Sequence, residues 1–283
     1  MVAASGHEQA ALVLVAKYPG SGASKTRLVK ELAVAAAGTA DPSEELIATA
    51  QEQAAAFSRA SVMDLVRRFS DPALNCARTV LYAPPVDAAR DYFSEILSEV
   101  STDLAANNDI NNTEWMLLPA TQASDARSSD LSTLLSDAMA RARAASGCRK
   151  VVFIGSDCPD LPISSLCAAL SKCGEPHTAS LFPALDGGYT LLALPAEAEE
   201  GTAFDGVHWS STDTALSQLA ALSRAGLRCH VGCTHEDVDE LKDLRALHCR
   251  LLTSVEAAET CPYTAAVCTT LRSLLDTAPE SND

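Results

Sequence analysis

The chain has 283 residues, of which 47% are hydrophobic, and its 37 acidic and 21 basic side chains give a net charge of −16. This length fits one large α/β domain or two small ones, and the hydrophobic content is sufficient for a full core. The acidic balance argues against nucleic acid or an anionic membrane as a main partner, so any phosphate-binding site must be a local basic patch.

The N-terminal residues carry no signal for export. Residues 1–10 lack the apolar run of a signal peptide, and no later stretch is apolar over the length of a membrane span. The ten cysteines lie at scattered spacings, which in a chain of this length indicates reduced thiols rather than disulfides. We therefore predict a cytoplasmic protein without a membrane partner.

The first element is a buried strand, predicted at Ala11–Ala16, and a loop with two glycines follows it. Lys25, Thr26 and Arg27 then begin a helix that ends at Gly38. Helix starts carry partial positive charge and normally attract acidic residues, so two cations in this first turn are unusual. Together with the glycine loop and the exposed N–H groups of a helix start, they predict an anion site. The alternative is that both cations point to solvent.

This loop matches neither of the common phosphate-binding fingerprints. A Walker A motif needs glycine where Ser24 and Pro19 stand, and the dinucleotide motif needs a third glycine at Lys25. What remains is a strand, a glycine-containing loop and the tripeptide KTR.

Helices and strands alternate through the middle of the chain. The capping and hydrophobic patterns predict, in order, a helix from 44 to about 69, a strand at 79–83, a helix at 87–100, a strand at 115–118 and a helix at 130–145. Segment 101–114 is polar and rich in asparagine, which predicts a flexible surface insertion.

A strand buried on both faces is predicted at Val151–Ile154, where four apolar residues follow one another. Asp157 and Asp160 come just after it, and ligands of open α/β sheets bind at this end of the strands. Because Mg²⁺ prefers hard oxygen ligands, we interpret Asp157 as a metal ligand. Asp160 is either a second ligand or the cap of a helix that begins near Pro162.

After a further helix, two strands at 177–185 and 189–194 are joined by Asp186, Gly187 and Gly188. A glycine-rich turn between two strands is typical of a hairpin, which makes an otherwise parallel sheet mixed. Asp186 is either a turn former or part of a site, since glycines also let a ligand approach the backbone closely.

The last part of the chain contains an acidic run between a strand at 227–231 and a helix at 241–252. The run, residues 235–240, is either the acid-rich start of that helix or the source of a second metal carboxylate. Upstream, Trp209 precedes a Ser-Ser-Thr-Asp helix start, and we interpret its side chain as a packing residue rather than a stacking platform. A terminal helix is predicted at 263–275.

The alternation of strands and helices predicts an α/β fold with a mainly parallel sheet. We assign an extension to residues 1–10, one domain to residues 11–255, and a C-terminal helix and tail to residues 256–283.

Four motifs in chain order, AKYPGSGASKTRL, GSDCPDL, DGGY and DVDELKDL, resemble a branch of the nucleotide-diphospho-sugar transferase superfamily. Members of this branch are catalogued as glycosyltransferases or as domains of unknown function, and they are related to molybdopterin and phospholactate guanylyltransferases. The resemblance implies a GT-A fold, which is a Rossmann-like three-layer α/β/α sandwich with a mixed, mainly parallel sheet. Two details depart from the family, an extra serine after Trp209 and Glu240 in a position where threonine is usual.

The resemblance also implies a Mg²⁺ or Mn²⁺ ion held by Asp157 and Asp239, with Asp237 as the rival of Asp239. Catalytic roles then fall on Lys25, Arg27, Asp157 and Asp186. The residues assigned to nucleotide binding are Lys17, Gly20, Gly22, Lys25, Thr26, Arg27, Ser156 and Asp157. Those assigned to acceptor binding are Asp160, Gly187, Gly188 and Tyr189.

Two enzymatic reactions fit this set, and we place nucleotidyl transfer first. In it a phosphorylated small molecule attacks an NTP and pyrophosphate leaves, clamped by Lys25 and Arg27. The alternative is a glycosyltransferase with a nucleotide-sugar donor. A second alternative is a nucleotide-binding protein without catalysis, against which the retention of all the carboxylates speaks. The partners are a nucleotide and, for the enzymes, a small-molecule acceptor.

Overall fold

The computed structural model describes residues 9–21, 24–106, 114–120 and 131–276. Within these ranges the seven strands are β1 (Ala10–Lys17), β2 (Cys76–Ala83), β3 (Trp115–Pro119), β4 (Lys150–Gly155), β5 (Thr178–Pro183), β6 (Tyr189–Leu194) and β7 (Arg228–Val231). The helices are α1 (Thr26–Ala37), α2 (Glu44–Phe69), α3 (Asp87–Ala106), α4 (Leu131–Ser146), α5 (Ile163–Lys172), α6 (Thr214–Arg224), α7 (Leu241–Thr253), α8 (Val255–Thr260), α9 (Pro262–Thr270) and α10 (Arg272–Leu275).

The strands form a single sheet in the order β3-β2-β1-β4-β6-β5-β7. Strand β6 runs antiparallel to both of its neighbours, and the other pairings are parallel. The predicted mixed, mainly parallel sheet is therefore confirmed. Strands β1 and β4 lie side by side at its centre, with Val15 opposite Gly155. Their carboxyl ends consequently reach the same edge of the sheet, where ligands of such folds bind.

Alternating residues of β1 supply both faces of the sheet, which gives the three layers of the α/β/α sandwich. On one face Leu12 and Leu14 pack in a core with Phe69 of α2 and Phe93 of α3. On the other face Val13 packs in a core with residues of α4 and α6. A third apolar cluster joins α1, α2, α7 and the C-terminal helices beside the sheet.

Several predicted elements are present where local signals placed them. Helix α1 ends at Gly38, which adopts the left-handed conformation with φ +63°, and the Ser43 side chain accepts a hydrogen bond from the N–H of Leu46 at the start of α2. The predicted hairpin is the antiparallel pair of β5 and β6.

Two predictions of secondary structure were wrong. Helix α3 continues to Ala106, into the segment predicted as a loop, because Val100 and Leu104 lie four residues apart on its buried face. The rest of that segment, residues 107–113, lies outside the described residues. The single terminal helix is instead α9 and α10, with α8 before them. Thr269 and Thr270 donate to backbone carbonyls at the break, a contact that often bends helices.

Within the described ranges, every helix is too short or too polar to cross a membrane.

Candidate functional site

Two loops meet at the carboxyl edge of the sheet. We call residues 155–161 the aspartate loop and residues 235–240 the late acidic loop. The N–H of Val238 donates to the carbonyl of Asp157 at 2.9 Å, which joins the two loops through their backbones. The N–H of His235 donates to the carbonyl of Pro183 at 2.9 Å, so the late acidic loop is also attached to the end of β5. The sheet thus fixes the carboxylates of both loops relative to one another.

Lys25 connects these loops to the start of α1. It adopts the left-handed conformation, with φ +53°, at the N-cap of the helix, and its side chain is 5% exposed. Its ammonium group donates to the carbonyl of Val238, forms an ion pair with Asp157 and lies 3.0 Å from Asp239. Although burial opposes it, these two carboxylates raise the pKa of Lys25, so the amine stays charged. The amine therefore neither points to solvent nor borders an open anion site.

Arg27 extends the same network outward. Its guanidinium lies 2.6 Å from a carboxylate oxygen of Asp239 and 2.8 Å from one of Glu240, while 60% of the side chain remains exposed. The positive helix start predicted to bind an external anion is thus filled by the protein's own carboxylates. This explains why cations stand in a turn that normally carries acids, since the acids come from a loop that is distant in sequence.

Asp186, Asp237 and Asp239 form a compact trio, because each offers one carboxylate oxygen and these oxygens all lie within 4.8 Å of one another. Burial, then the charges of Asp186 and Asp239, raise the pKa of Asp237 to about 6. Asp239 differs, because Lys25 and Arg27 lower its pKa against the effect of burial. Three clustered carboxylates are the oxygen donors that a divalent cation prefers.

The structure groups these residues differently from the predicted metal pair. Asp157 pairs with Lys25 and is not a member of the trio, so its pairing with Asp239 at a metal ion stays a prediction. Asp237, the predicted rival, is in the trio together with Asp239. The third member is Asp186, which was assigned a catalytic role but not metal binding. The difference arises because the Lys25 ammonium lies between the two carboxylates that were expected to share an ion.

Asp186 serves both of its alternative roles, as a turn former and as a member of the trio. One carboxylate oxygen accepts a hydrogen bond of 2.7 Å from the N–H of Gly188. Gly187 has φ +92°, and a Cβ there would lie 2.1 Å from the carbonyl oxygen of Thr212. Its own carbonyl accepts from the N–H of Ala215. Gly187 therefore fits the hairpin against the loop before α6, while its predicted contact with an acceptor stays a prediction.

A pocket of about 770 Å³ opens over this edge of the sheet. Its polar side is lined by Arg27, Asp157, Asp186, Asp237 and Asp239. The rest of its lining includes apolar and aromatic side chains from α4, β4, β6 and the loop before α6. Tyr189, a predicted acceptor residue, also lines the pocket. Its hydroxyl donates to the side-chain oxygen of Gln218 at 3.2 Å, and burial raises the pKa of that hydroxyl.

Asp160 lies away from this pocket. Its side chain is 18% exposed and accepts a hydrogen bond of 2.8 Å from the guanidinium of Arg250 on α7. Arg250 also pairs with Glu236 in the late acidic loop. Asp160 therefore does not cap α5 but belongs to a second link between the same two loops, and its role in acceptor binding stays a prediction. Arg250 is a residue that sequence reasoning missed, because nothing near it in the chain marks its partner 90 positions earlier.

The residues assigned to nucleotide binding are divided between two places. Gly20 and Thr26 line a separate cavity of about 330 Å³ beside α2, so the structure does not bring them to the carboxylates. Lys17 is exposed at the end of β1, and its charge contributes to the low pKa of Asp239. The carbonyl of Ser156 accepts a hydrogen bond from the hydroxyl of Ser61. Gly22 lies outside the described residues.

Residues 95–211 match the sequence profile of a family described as "Uncharacterized protein conserved in bacteria (DUF2064)". No curated protein matches the chain.

Solved structures share the fold. A protein from Desulfovibrio desulfuricans G20, described provisionally as a nucleotide-diphospho-sugar transferase, superposes with a TM-score of 0.69 at 23% identity, over 95% of this chain and 97% of that one. A cytidylyltransferase from Leptospira borgpetersenii gives a TM-score of 0.50 at 11% identity, over 96% and 99%. A mannosyltransferase from Pyrobaculum calidifontis, solved with GDP-Man and Mn²⁺, gives 0.46 at 8% identity, over 97% and 77%. The first two of these structures confirm the predicted α/β fold.

Proposed function

We propose that this protein is a metal-dependent transferase that uses a nucleotide donor. The observation that carries the proposal is the trio of Asp186, Asp237 and Asp239 on the wall of a large pocket, at the carboxyl edge of a GT-A-like sheet. Carboxylates held this close without equal positive charge repel one another, and a divalent cation relieves that repulsion. The same cation would attract the phosphates of a nucleotide.

The trio would hold Mg²⁺ or Mn²⁺, and the ion would neutralise the charge that develops on the leaving phosphate. Lys25 keeps the two loops in register by holding Asp157 and Asp239. Arg27 is largely exposed and lines the pocket, so its guanidinium can turn from Asp239 to a phosphate with little structural cost. Asp157, which is 47% exposed, faces the pocket and can orient a hydroxyl of the acceptor.

Among the two transfer reactions, the geometry favours glycosyl transfer from a nucleotide-sugar. The sequence placed nucleotidyl transfer first because Lys25 and Arg27 looked available to a leaving pyrophosphate. The Lys25 ammonium is instead buried against Val238, Asp157 and Asp239, which leaves Arg27 as the mobile cation of that pair. The shared fold with a nucleotide-diphospho-sugar transferase from Desulfovibrio supports the same order.

Nucleotidyl transfer remains the second candidate. The exposed guanidinium of Arg27 at the pocket is the observation that favours it, since a leaving pyrophosphate carries more charge than a metal ion alone neutralises. The fold shared with a cytidylyltransferase agrees with this candidate.

The test has a binding step and a turnover step. Thermal-shift titration with nucleoside diphosphates, nucleotide-sugars and NTPs, each with Mn²⁺, Mg²⁺ or EDTA, shows whether a nucleotide binds with the metal. Incubation with the same donors then distinguishes the reactions, because glycosyl transfer releases nucleoside diphosphate and nucleotidyl transfer releases pyrophosphate. Metal-dependent binding without either product would show a nucleotide-binding protein, and absence of any nucleotide-dependent shift would overturn the proposal. Asp239→Asn is the matched inactive control.

A further inference from the structure

The apolar side of the pocket is an ordered wall. Leu131 and Leu135 of α4, Phe153 of β4, Tyr189 of β6 and Trp209 form it. The rings of Trp209 and Tyr189 pack with centroids 6.3 Å apart. The wall lines the same pocket as the carboxylate trio, so one molecule that fills the pocket would contact both.

Trp209 presents carbon rather than its polar edge to the pocket. Its indole N–H donates to the hydroxyl of Ser132 at 2.8 Å, and that hydroxyl donates to the carbonyl of Phe204 at 2.9 Å. The Trp209 ring also packs against Phe204, with centroids 6.4 Å apart. Since the one polar atom of the indole is satisfied within the protein, the ring offers a ligand only its π face and C–H edges.

The position of Trp209 is tied to the trio through the hairpin turn. Gly187, next to Asp186, lies so close to Thr212 that no side chain fits between them. The loop that carries Trp209 is therefore held at a fixed distance from the carboxylate of Asp186. At the rim of the pocket, Ser210 adopts the left-handed conformation, with φ +55°, a strained geometry for a residue with a side chain.

The charge of the pocket limits what can bind at this wall. Among the described lining residues, four carboxylates face the pocket and Arg27 is the cation. An acceptor with its own phosphate would meet these carboxylates without a metal of its own to screen it. An uncharged ring with a carbon face meets no such repulsion, and it gains contact with Trp209 and Tyr189.

We propose that this wall is the acceptor subsite, and that the acceptor presents an uncharged ring, such as a glycoside or an aromatic aglycone, instead of a phosphate. The proposal rests on the proposed transferase function, because it assigns the other end of the pocket to the metal and the donor. It also reverses the expectation of a phosphorylated acceptor and the interpretation of Trp209 as a packing residue.

Tryptophan fluorescence tests it directly, because the chain has two tryptophans and Trp115 is buried in β3, hydrogen-bonded to Ser70. In a Trp115→Phe variant, whose melting is checked by circular dichroism, the emission reports Trp209 alone. Should that variant fail to fold, the difference between the wild-type and Trp209→Phe emission gives the same signal. The probes are methyl and phenyl β-glycosides, the matching sugar 1-phosphates, and free nucleosides.

Phenyl glycosides are expected to shift the Trp209 emission saturably, and sugar 1-phosphates to bind at least roughly ten-fold more weakly. Trp209→Ala should weaken phenyl glycoside binding, followed by calorimetry, by roughly five- to ten-fold, and Trp209→Phe by less. Equal or tighter binding of sugar phosphates would overturn the proposal, as would the same shift with nucleosides or no shift with any uncharged ring. Metal-dependent nucleotide binding, measured on the same variants by thermal shift, separates a failure of this subsite from a failure of the transferase function.

Discussion

Two clusters, each centred on one cation, join the same pair of loops, and they differ in the acidic side chains that lie beside them. Lys25 reaches the loops from the start of α1 and holds Asp157 and Asp239 on the pocket side. Arg250 reaches them from α7 and holds Asp160 and Glu236 away from the pocket. Each loop contributes one carboxylate to each cluster, and the two lie three positions apart in both loops, Asp157 with Asp160 and Glu236 with Asp239.

The difference lies in what each cation leaves unpaired. Around Arg250, one guanidinium forks between two carboxylates, an arrangement that needs nothing further. Around Lys25, the carboxylates of Asp186 and Asp237 lie beside Asp239, and within the described part of the chain neither forms an ion pair with a basic side chain. The lesson is that an acidic loop marks a site by its surplus of negative charge and not by its number of carboxylates.

The largest difference between the two clusters is expected when one acid of each is neutralised. Asp239→Asn should lower the rate of the metal-dependent reaction by roughly two to three orders of magnitude, because it removes a ligand of the ion that stabilises the leaving group. Asp160→Asn should leave that rate within a few-fold of wild type and lower the melting temperature instead. Product release assays and thermal melts on both variants make the measurement. Similar losses of rate in the two would show that the clusters do not differ in function.

Lys25→Met tests whether the buried amine is structural. Removing the cation leaves Asp157 and Asp239 facing each other without compensation, which should cost about 1–3 kcal/mol of unfolding free energy. This is below the roughly 3–5 kcal/mol of a fully buried pair, because the two carboxylates are 47% and 33% exposed. Because Mn²⁺ can replace the lost charge, it should raise the melting temperature more in this variant than in wild type. A smaller metal-induced rise in Lys25→Met would contradict the assignment.

The fold was predictable wherever its signals are local. The apolar run of β4, the Ser43 cap of α2 and the glycine turn before β6 each specify their element within a few residues. Prediction failed where packing extends an element beyond its pattern, as at Leu104 in α3. The order of the strands was not predicted, because the rules for strand connections leave several orders open.

Most residues of the candidate site could be predicted from the sequence, but the contacts among them could not. Asp157, Asp186, Asp239 and Lys25 were all identified, since each stands at a strand end or a helix start. Which of them touch depends on side-chain directions that no spacing reveals. Lys25 has a left-handed backbone conformation, its amine contacts the late acidic loop, 213 residues away, and the same amine pairs with Asp157.

Arg250→Met should have a smaller effect than either change on the pocket side. The side chain is 31% exposed and its partner Glu236 is 42% exposed, so solvent screens the lost pairs and the cost should be about 1 kcal/mol. For a chain of this size that lowers the melting temperature by about 2–4 °C. Arg272→Met, which removes an exposed pair within α10, is the matched control and should melt as wild type does. An equal shift in both variants would mean that Arg250 does not link the two loops.

The smallest expected effect is a pH dependence that belongs to the carboxylate trio alone. Asp237 has a pKa raised from 3.8 to about 6 in the folded protein, so folding retains its proton over this range and stability without metal falls as pH rises through it. Asp237→Asn resembles the protonated form. Without metal, it should therefore melt like wild type below about pH 4 and slightly above wild type beyond about pH 6.

Burial also raises the pKa of Asp64 to about 6, and this carboxylate accepts hydrogen bonds from backbone N–H groups of α9. Asp64 is present in both wild type and Asp237→Asn, so its titration cancels in the difference between their melting temperatures. The same proton competes with the metal, so metal affinity of the wild type should fall about ten-fold per pH unit below about 6, and Asp237→Asn should flatten that slope. Melting and metal titrations between pH 4 and pH 8 measure both effects. A slope unchanged by Asp237→Asn would place the ion elsewhere, since a carboxylate that binds the metal must lose its proton first.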